Sequence, residues 1–540
     1  MLISSIGTNL GFKKYRGFTT EWTVSGDATA RTVTLPLVDV GVFNCTINWG
    51  DGTTTTIDAF DHADRAHTYA ANGTYQVEIT GECPSWSFNN AGDKLKISKI
   101  IYWGDTIKFG GFGYLTGGFY GCTNLTSLGT GKILVKAGLT NLEFCFAGLT
   151  NVALTVLPAG LFDNCVNLAA SGCKHIFYSM AYITEIPADL FKYCTNLTTL
   201  AFQSAFAYCS RITTIPADLF KYNTGVTTRA FYCTFQSCIR LETIPSGLFD
   251  YNTEVTYIGF NSVFRTCPLL TAIPTDLFKY NTVVTTSAFQ LSFFGCSAIT
   301  SIPTDLFRYN ISIGQGGFTN TFYGCAALTT VPTDTFRYNT LIAIWAFRST
   351  FKNCTALATV PELLFKYNTA VSELGFYQTF QNCNKLQLNA KIFYDTGEQA
   401  TRFHQTTIKD FTECFARDTF TGDQGVAPDL WLCDFYEYIN VDVSPAVDWA
   451  ADDIITGQTS GATAVVVAKI DALRYYIKEH DGVFDLDEII GVTGNVDKLA
   501  DQGATRPTFT RETVVTDCFG GAGNDATSIS NYADIPAYWR

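Results

Sequence analysis

The sequence predicts a mixed, repeat-dominated fold: an N-terminal β-sandwich, a solenoid of 29-residue rungs, and a small β-rich module inserted near the C-terminus. Three observations carry this. Pro158, Pro187, Pro216, Pro245, Pro274, Pro303, Pro332 and Pro361 each fall 29 residues after the last. Cys209, Cys238, Cys267, Cys296, Cys325, Cys354 and Cys383 keep the same step, as do the phenylalanine columns Phe202 to Phe376 and Phe206 to Phe380. The flanks differ: short β-branched runs precede the array and Gly-punctuated ones interrupt its end. A strict period of this length signals one supersecondary unit stacked on its copies, none able to bury its apolar face alone.

Residues 1–17 form an N-terminal segment whose charges follow its weak apolar run, the wrong order for a signal peptide. Residues 18–83 contain β-like runs starting at Thr20, Thr32, Cys45 and Thr74, separated by turn residues, which is the spacing of a small antiparallel sandwich. Asp51, between Gly50 and Gly52, reads as a turn residue. Residues 84–141 read as a cap and first rung, since an open solenoid end exposes core.

The solenoid is expected over residues 142–443. Within one rung, Ile212 to Ile215 is β-branched and stops at Pro216, as a brief strand does. Pro216 to Tyr222 then reads as one or two helical turns, with Asp218 near the positive end and Lys221 near the negative end. Asn223 reads as a left-handed stop. Phe231, Phe235 and Cys238 follow at spacings of four and three, which places them on one helical face. The phenylalanine columns read as core. Past residue 384 the period decays, Phe411 to Cys414 restarts it, and Ala427 to Trp431 takes the place of the proline turn. Residues 444–510 read as an inserted β-module, where Asp485, Asp487 and Glu488 form a charged turn. Residues 511–540 return to the pattern through Cys518, Phe519 and Pro536 as a C-terminal rung and cap.

Composition narrows the function. The chain has 540 residues and a formal charge of −13, which argues against nucleic acid as partner because phosphate binding needs a basic face. No stretch approaches the length of a membrane span, so no membrane insertion is expected. Most of the 18 cysteines belong to the repeat, where each has two equal neighbours; buried free thiols are the expectation, with pairing among off-ladder residues such as Cys45, Cys83, Cys165, Cys173, Cys194 and Cys233 left open. His62, His67, His175, His404 and His480 are scattered without metal-ligand spacing. No nucleophile elbow or phosphate loop is present. The expectation is therefore no cofactor, no metal and no catalytic residue.

Three resemblances sharpen the reading. Trp49-Gly-Asp-Gly52, His67-Thr-Tyr69 and Gly73-Thr-Tyr-Gln-Val77 together resemble the polycystic-kidney-disease (PKD) type of immunoglobulin-like domain. The repeat Cys-x-x-Leu-Thr-x-Ile-Pro-x-Asp-Leu-Phe-x-Tyr-Asn-Thr resembles the BspA-type leucine-rich repeats of bacterial surface proteins and of their bacteriophage relatives. The segment from Ile455 to Val465 is similar to a β-module of phage virion proteins. The resemblance implies a leucine-rich-repeat solenoid in a non-enzymatic virion protein: a tail or head fibre, spike or capsid decoration. Its implied partners are other virion proteins and a host surface glycan or protein, with a homotrimer by analogy to other fibres. The alternatives are a bacterial surface adhesin and, second, a glycan-degrading enzyme.

Comparison of the rungs locates a partner-binding stripe. Two columns vary without limit, one running Leu200, Arg229, Ile258, Ser287, Gly316, Trp345, Leu374 and the other Gln203, Tyr232, Asn261, Gln290, Thr319, Arg348, Tyr377. Core positions must repeat, because each stacks on its copies, so varying positions face solvent or a partner. Three residues apart on a helical turn, the columns would lie side by side. Aromatic and arginine side chains dominate binding hot spots, which selects Arg229, Tyr232, Trp345, Arg348 and Tyr377.

Overall fold

Backbone hydrogen bonding decides what this repeat becomes. The computed structural model describes residues 16–393, 409–417, 424–428, 437–440, 449–450, 453–457, 463–471, 474–481, 489–492, 499–501, 509–511, 513–514, 518–520, 529, 532–535 and 540. The chain forms two compact units, Met1–Glu254 and Val255–Arg540, each taken by itself below.

The N-terminal unit opens with eight strands: β1 (Phe18–Val24), β2 (Thr32–Thr34), β3 (Asn44–Asn48), β4 (Thr54–Ile57), β5 (Ala66–Thr68), β6 (Gly73–Glu82), β7 (Ile97–Tyr102) and β8 (Leu128–Thr130). Alternation builds them: in β3, Cys45 and Ile47 point inward while Asn44, Thr46 and Asn48 face solvent. Six strands form one sheet in the order β4-β3-β6-β1-β7-β8, and β2 pairs β5 in a separate two-stranded sheet. Phe18 pairs Ile79 and Trp22 pairs Tyr75 across β1 and β6. Beneath the sheet, Phe18 meets Trp86 edge-on at 5.2 Å and Phe112 at 5.1 Å, all three fully buried. The chain then turns to feed the repeats: the amides of Trp86, Phe88 and Asn90 donate to the carbonyls of Tyr114, Gly118 and Tyr120 at 3.1 Å each.

The repeats are neither helical nor laddered strands. Take 200–209. Leu200, Phe202, Ser204, Phe206 and Tyr208 donate their amides to carbonyls of the following repeat, at Thr228, Ala230, Tyr232, Thr234 and Gln236, over 2.7 to 2.9 Å. The amides between them turn back locally: Gln203 donates to Leu200, Ala205 to Phe202, Ala207 to Ser204 and Cys209 to Phe206. Nine of the ten amides of the run make these bonds, five to the neighbour and four in tight turns. Every fourth residue is left-handed, as at Leu200, Ser204 and Tyr208, with φ of 58°, 51° and 64°. Stacked side chains hold this backbone: Phe206 lies 5.5 Å from Phe235 and Phe202 lies 5.8 Å from Phe231.

The expected fold class is therefore corrected. Among the described residues there is no α-helix, only the 3₁₀ turns Ala63–Arg65 and Tyr532–Asp534, and no strand lies between Leu128–Thr130 and Lys409–Asp410. That is not a leucine-rich-repeat solenoid of strand-and-helix rungs. The spacing of four and three, taken for a helical face, belongs to a four-residue turn period. Strand ladders fail because the crossing bonds in this run all point one way, from a repeat to its successor. The N-terminal region is β-rich but is not a PKD-like sandwich confined to residues 18–83, since β7 and β8 extend its main sheet.

In the C-terminal unit the same turn pattern runs from Ile258 to Asn382, with left-handed residues such as Ser287, Leu291, Trp345 and Ser349. Gly316 occupies one such position, at φ 64°. Phe380 donates to Cys414 and Phe415 to Cys518, each at 2.8 Å, so the pattern passes over the intervening chain. That chain contains β9 (Lys409–Asp410), β10 (Glu437–Asn440), β11 (Ile454–Gly457), β12 (Thr463–Asp471), β13 (Arg474–Asp481), β14 (Ile489–Val492), β15 (Leu499–Asp501), β16 (Phe509–Arg511) and β17 (Thr513–Val514). Seven of them form an antiparallel sheet in the order β15-β14-β11-β12-β13-β10-β16, which begins ahead of residue 444; β17 pairs β9. Asp485, Asp487, Glu488, His404 and Trp431 lie outside the described residues.

Three polar columns run through the apolar core. Asn223, placed in the sequence as a left-handed stop, is fully buried instead: its Nδ2 donates to the carbonyls of Phe191 at 3.2 Å and Cys194 at 2.9 Å. Asn310, Asn339 and Asn368 repeat this bifurcated bond in the C-terminal unit at 2.9 to 3.1 Å. Thr321, Thr350 and Thr379 donate to the carbonyls of Phe289, Phe318 and Phe347. The thiols do likewise: Cys209 and Cys238 donate to Phe177 and Phe206, and Cys296, Cys325, Cys354 and Cys383 to Phe264, Phe293, Phe322 and Phe351, at 3.1 to 3.3 Å. All seventeen described cysteines are buried and none is in a disulfide, Cys45, Cys83, Cys165, Cys173, Cys194 and Cys233 included.

Candidate partner-binding surface

The two variable columns sit at the ends of one tight turn. In the N-terminal unit Arg229 is left-handed at φ 52° and exposed. The Tyr232 amide closes the turn onto its carbonyl at 3.3 Å, and Tyr232 is half-buried. The Tyr232 carbonyl accepts from Ser204 at 2.8 Å, which fixes the turn against the preceding repeat.

In the C-terminal unit Trp345 is left-handed at φ 55° and 38% exposed. Its amide donates to Glu373 at 2.9 Å, and its carbonyl accepts from the Thr319 hydroxyl at 2.6 Å and the Arg348 amide at 3.4 Å. Arg348 lies over the Tyr377 ring, 5.4 Å from its centroid. Trp345, Arg348 and Tyr377 are thus linked through one turn and one ring contact. Arg229 and Tyr232 form a separate turn in the other unit. The columns are not uniformly free: Gly316, Asn261 and Thr319 are buried, and most of the rest are half-buried. The pairing arises from a tight turn closed between residues i and i+3 and not from a helical face.

Next to Trp345, Arg348 and Tyr377 lies a polar network that the two-column comparison missed. Lys352 donates to the Gln378 side-chain oxygen at 2.8 Å, and the Gln378 amide reaches Glu413. Gln381 donates to the same Glu413 carboxylate at 3.0 Å, and Asn353 donates to the Tyr323 hydroxyl at 3.0 Å. Asp410 is buried; burial raises its pKa above the ordinary carboxylate value, while the Thr412 hydrogen bonds and the Arg348 charge pull the other way. The signal was present in the sequence as a third column, Ser349 and Gln378, in which the left-handed position repeats.

Two further titratable residues, Asp51 and His175, are shifted by their local contacts. Asp51 accepts from His67 Nε2 at 2.7 Å and from the Thr53 amide and hydroxyl at 3.0 and 2.6 Å. Burial pushes its pKa up, but these bonds outweigh it and hold the carboxyl at about 2. His67 stacks on Trp49 at 4.8 Å, so the pair clamps a turn. His175 is lowered to about 4, first by burial and then by Lys174, with Glu143 opposing. Among the described residues no group of three or more His, Cys, Asp or Glu side chains is placed to hold a metal ion, and no helix is long and apolar enough to cross a membrane. No protein-family model and no curated protein matches this chain.

Proposed function

We propose that this protein is a non-enzymatic structural component of a phage virion, as a tail or head fibre, spike or capsid decoration, that touches the host surface through its variable columns. The observation that carries the reading is the contrast within one repeat. Phe293, Phe322, Phe351, Cys325 and Cys354 recur unchanged and are fully buried, while the turn beside them carries Gly316, Trp345 or Leu374 in successive copies. A position free to vary beside an invariant core presents chemistry without altering the fold. Trp345, Arg348 and Tyr377 supply an exposed indole, a cation and a half-buried ring, the side chains favoured at hot spots. Seventeen buried cysteines, none in a disulfide, favour assembly in a reducing cytoplasm, which supports a virion protein over a secreted adhesin.

The test is the Trp345→Ala, Arg348→Ala, Tyr377→Ala triple variant. Alanine keeps the Cβ at the left-handed position, so backbone strain at residue 345 is unchanged. The expected result is normal folding with lost adsorption to host cells. A variant that folds, enters particles and adsorbs like the parent refutes the surface. Mass spectrometry of purified particles that lacks this chain refutes the virion assignment.

A further inference from the structure

A second surface uses none of these residues. In the C-terminal unit Tyr280, Tyr309, Tyr338 and Tyr367 follow one another at the repeat interval, and three of them are 39 to 45% exposed. Cations sit between the rings. Arg308 lies 5.8 Å from the Tyr309 centroid and 5.2 Å from that of Tyr338; Arg337 lies 5.7 Å from Tyr338 and 5.1 Å from Tyr367. Each cation is neutralised in its own repeat, Arg308 by Asp305 at 3.4 Å and Arg337 by Asp334 at 3.3 Å. The four tyrosine hydroxyls make no hydrogen bond to any described residue, whereas the Tyr323 hydroxyl takes one from Asn353.

We infer that this ladder binds a neutral, extended, β-linked glycan chain lying along the repeats, one sugar per repeat. Three features select that ligand. Along the ladder Arg308 and Arg337 are each paired with a carboxylate, so neither a polyanion nor a polycation gains from these cations. Phenylalanines of successive repeats lie 5.4 to 6.4 Å apart, which is close to the length of one pyranose in an extended β-1,4 chain. Each repeat offers a similar outward set: a phenol with a free hydroxyl, a cation (Lys279, Arg308, Arg337 or Lys366) and a carboxylate, which together match the hydroxyls and apolar faces of a sugar. A role as packing glue alone needs the rings but not the hydroxyls.

The experiment is calorimetric titration of the full-length protein with cellotriose, cellohexaose, chitohexaose and α-linked maltohexaose. A β-linked hexasaccharide is expected to bind roughly tenfold tighter than cellotriose as further repeats engage, and maltohexaose not at all. Tyr309→Phe with Tyr338→Phe keeps the cation–ring contacts and the melting temperature, and is expected to weaken hexasaccharide binding about fivefold through the lost hydroxyls. The Trp345, Arg348, Tyr377 triple variant is expected to bind these sugars like the parent. Absence of binding by both β-linked hexasaccharides at millimolar concentration overturns the inference. Unchanged affinity in the double phenylalanine variant, or equal binding of maltohexaose, overturns it as well.

Discussion

Replacing Asn339 by alanine tests whether the buried asparagine column holds the repeats together. Asn339 is fully buried, and its Nδ2 donates to the carbonyls of Phe307 at 3.1 Å and Asn310 at 3.0 Å. Asn339→Ala removes both bonds; the Phe307 carbonyl keeps the Asn310 amide at 3.2 Å, and the buried Asn310 carbonyl loses its donor. An orphaned buried acceptor costs about 1–3 kcal/mol. Against this stands the Asn339 Oδ1, itself buried without a partner, whose removal returns about 1 kcal/mol. With about 1 kcal/mol for the lost bond to Phe307, the net expectation is a loss of about 1–3 kcal/mol. Thr340 next to it is exposed, and Thr340→Ala should cost under about 0.5 kcal/mol. Because long repeat arrays unfold in parts, the measurement is native-state hydrogen exchange on peptides spanning 307–339, which reports local opening free energy. Asn339→Asp should be worse than alanine at neutral pH, because it sets a carboxylate against two carbonyls. If Asn339→Ala and Thr340→Ala open with the same free energy, the column is filler and the reasoning fails.

Other perturbations probe the rest of the molecule. Phe293 is fully buried, 5.9 Å from Phe264 and 5.7 Å from Phe322, so Phe293→Ala should cost about 3–5 kcal/mol; Arg265, half-buried 5.1 Å over Phe294, should cost about 0.5–1 kcal/mol as alanine, and equal melting shifts would reject the stacked core. Burial pushes the thiols of Cys238, Cys296 and Cys383 up to about 12, so the folded state keeps protons that the unfolded chain loses above its ordinary thiol pKa. The thiols' contribution should therefore be constant up to pH 9, the ordinary value, and melting temperature should fall from there toward 12; a rise over that window contradicts the burial. Native protein should resist alkylation at these three positions and label fully in denaturant. Asp51, held at about 2, contributes stability above the ordinary carboxylate value that is lost as pH falls through 2, so Asp51→Asn should flatten the acid limb of the melting curve.

The sequence by itself determined the period and the identity of the core. Phe202, Phe206, Phe231, Phe235 and their copies were legible as buried because a residue that stacks on itself must repeat, and all are fully buried. The cysteine column was legible as inward for the same reason. For the candidate surface, the contrast between varying and repeating positions was legible, but the link of Lys352 and Gln378 to Glu413 was not, because Glu413 lies 35 residues beyond Gln378, off the 29-residue step. Tertiary structure alone decided the backbone. A spacing of four and three fits both an α-helix and a run of four-residue turns; the two differ in whether an amide reaches back within its own segment or across to the next repeat. At Leu200 it crosses to Thr228, and at Gln203 it turns back to Leu200. That choice depends on acceptors supplied by a neighbour 28 residues away, which no local propensity encodes. Asn223 shows the same physics. A polar residue at the end of an apolar run reads as a surface stop until the carbonyls of Phe191 and Cys194 arrive from the preceding repeat to receive its amide.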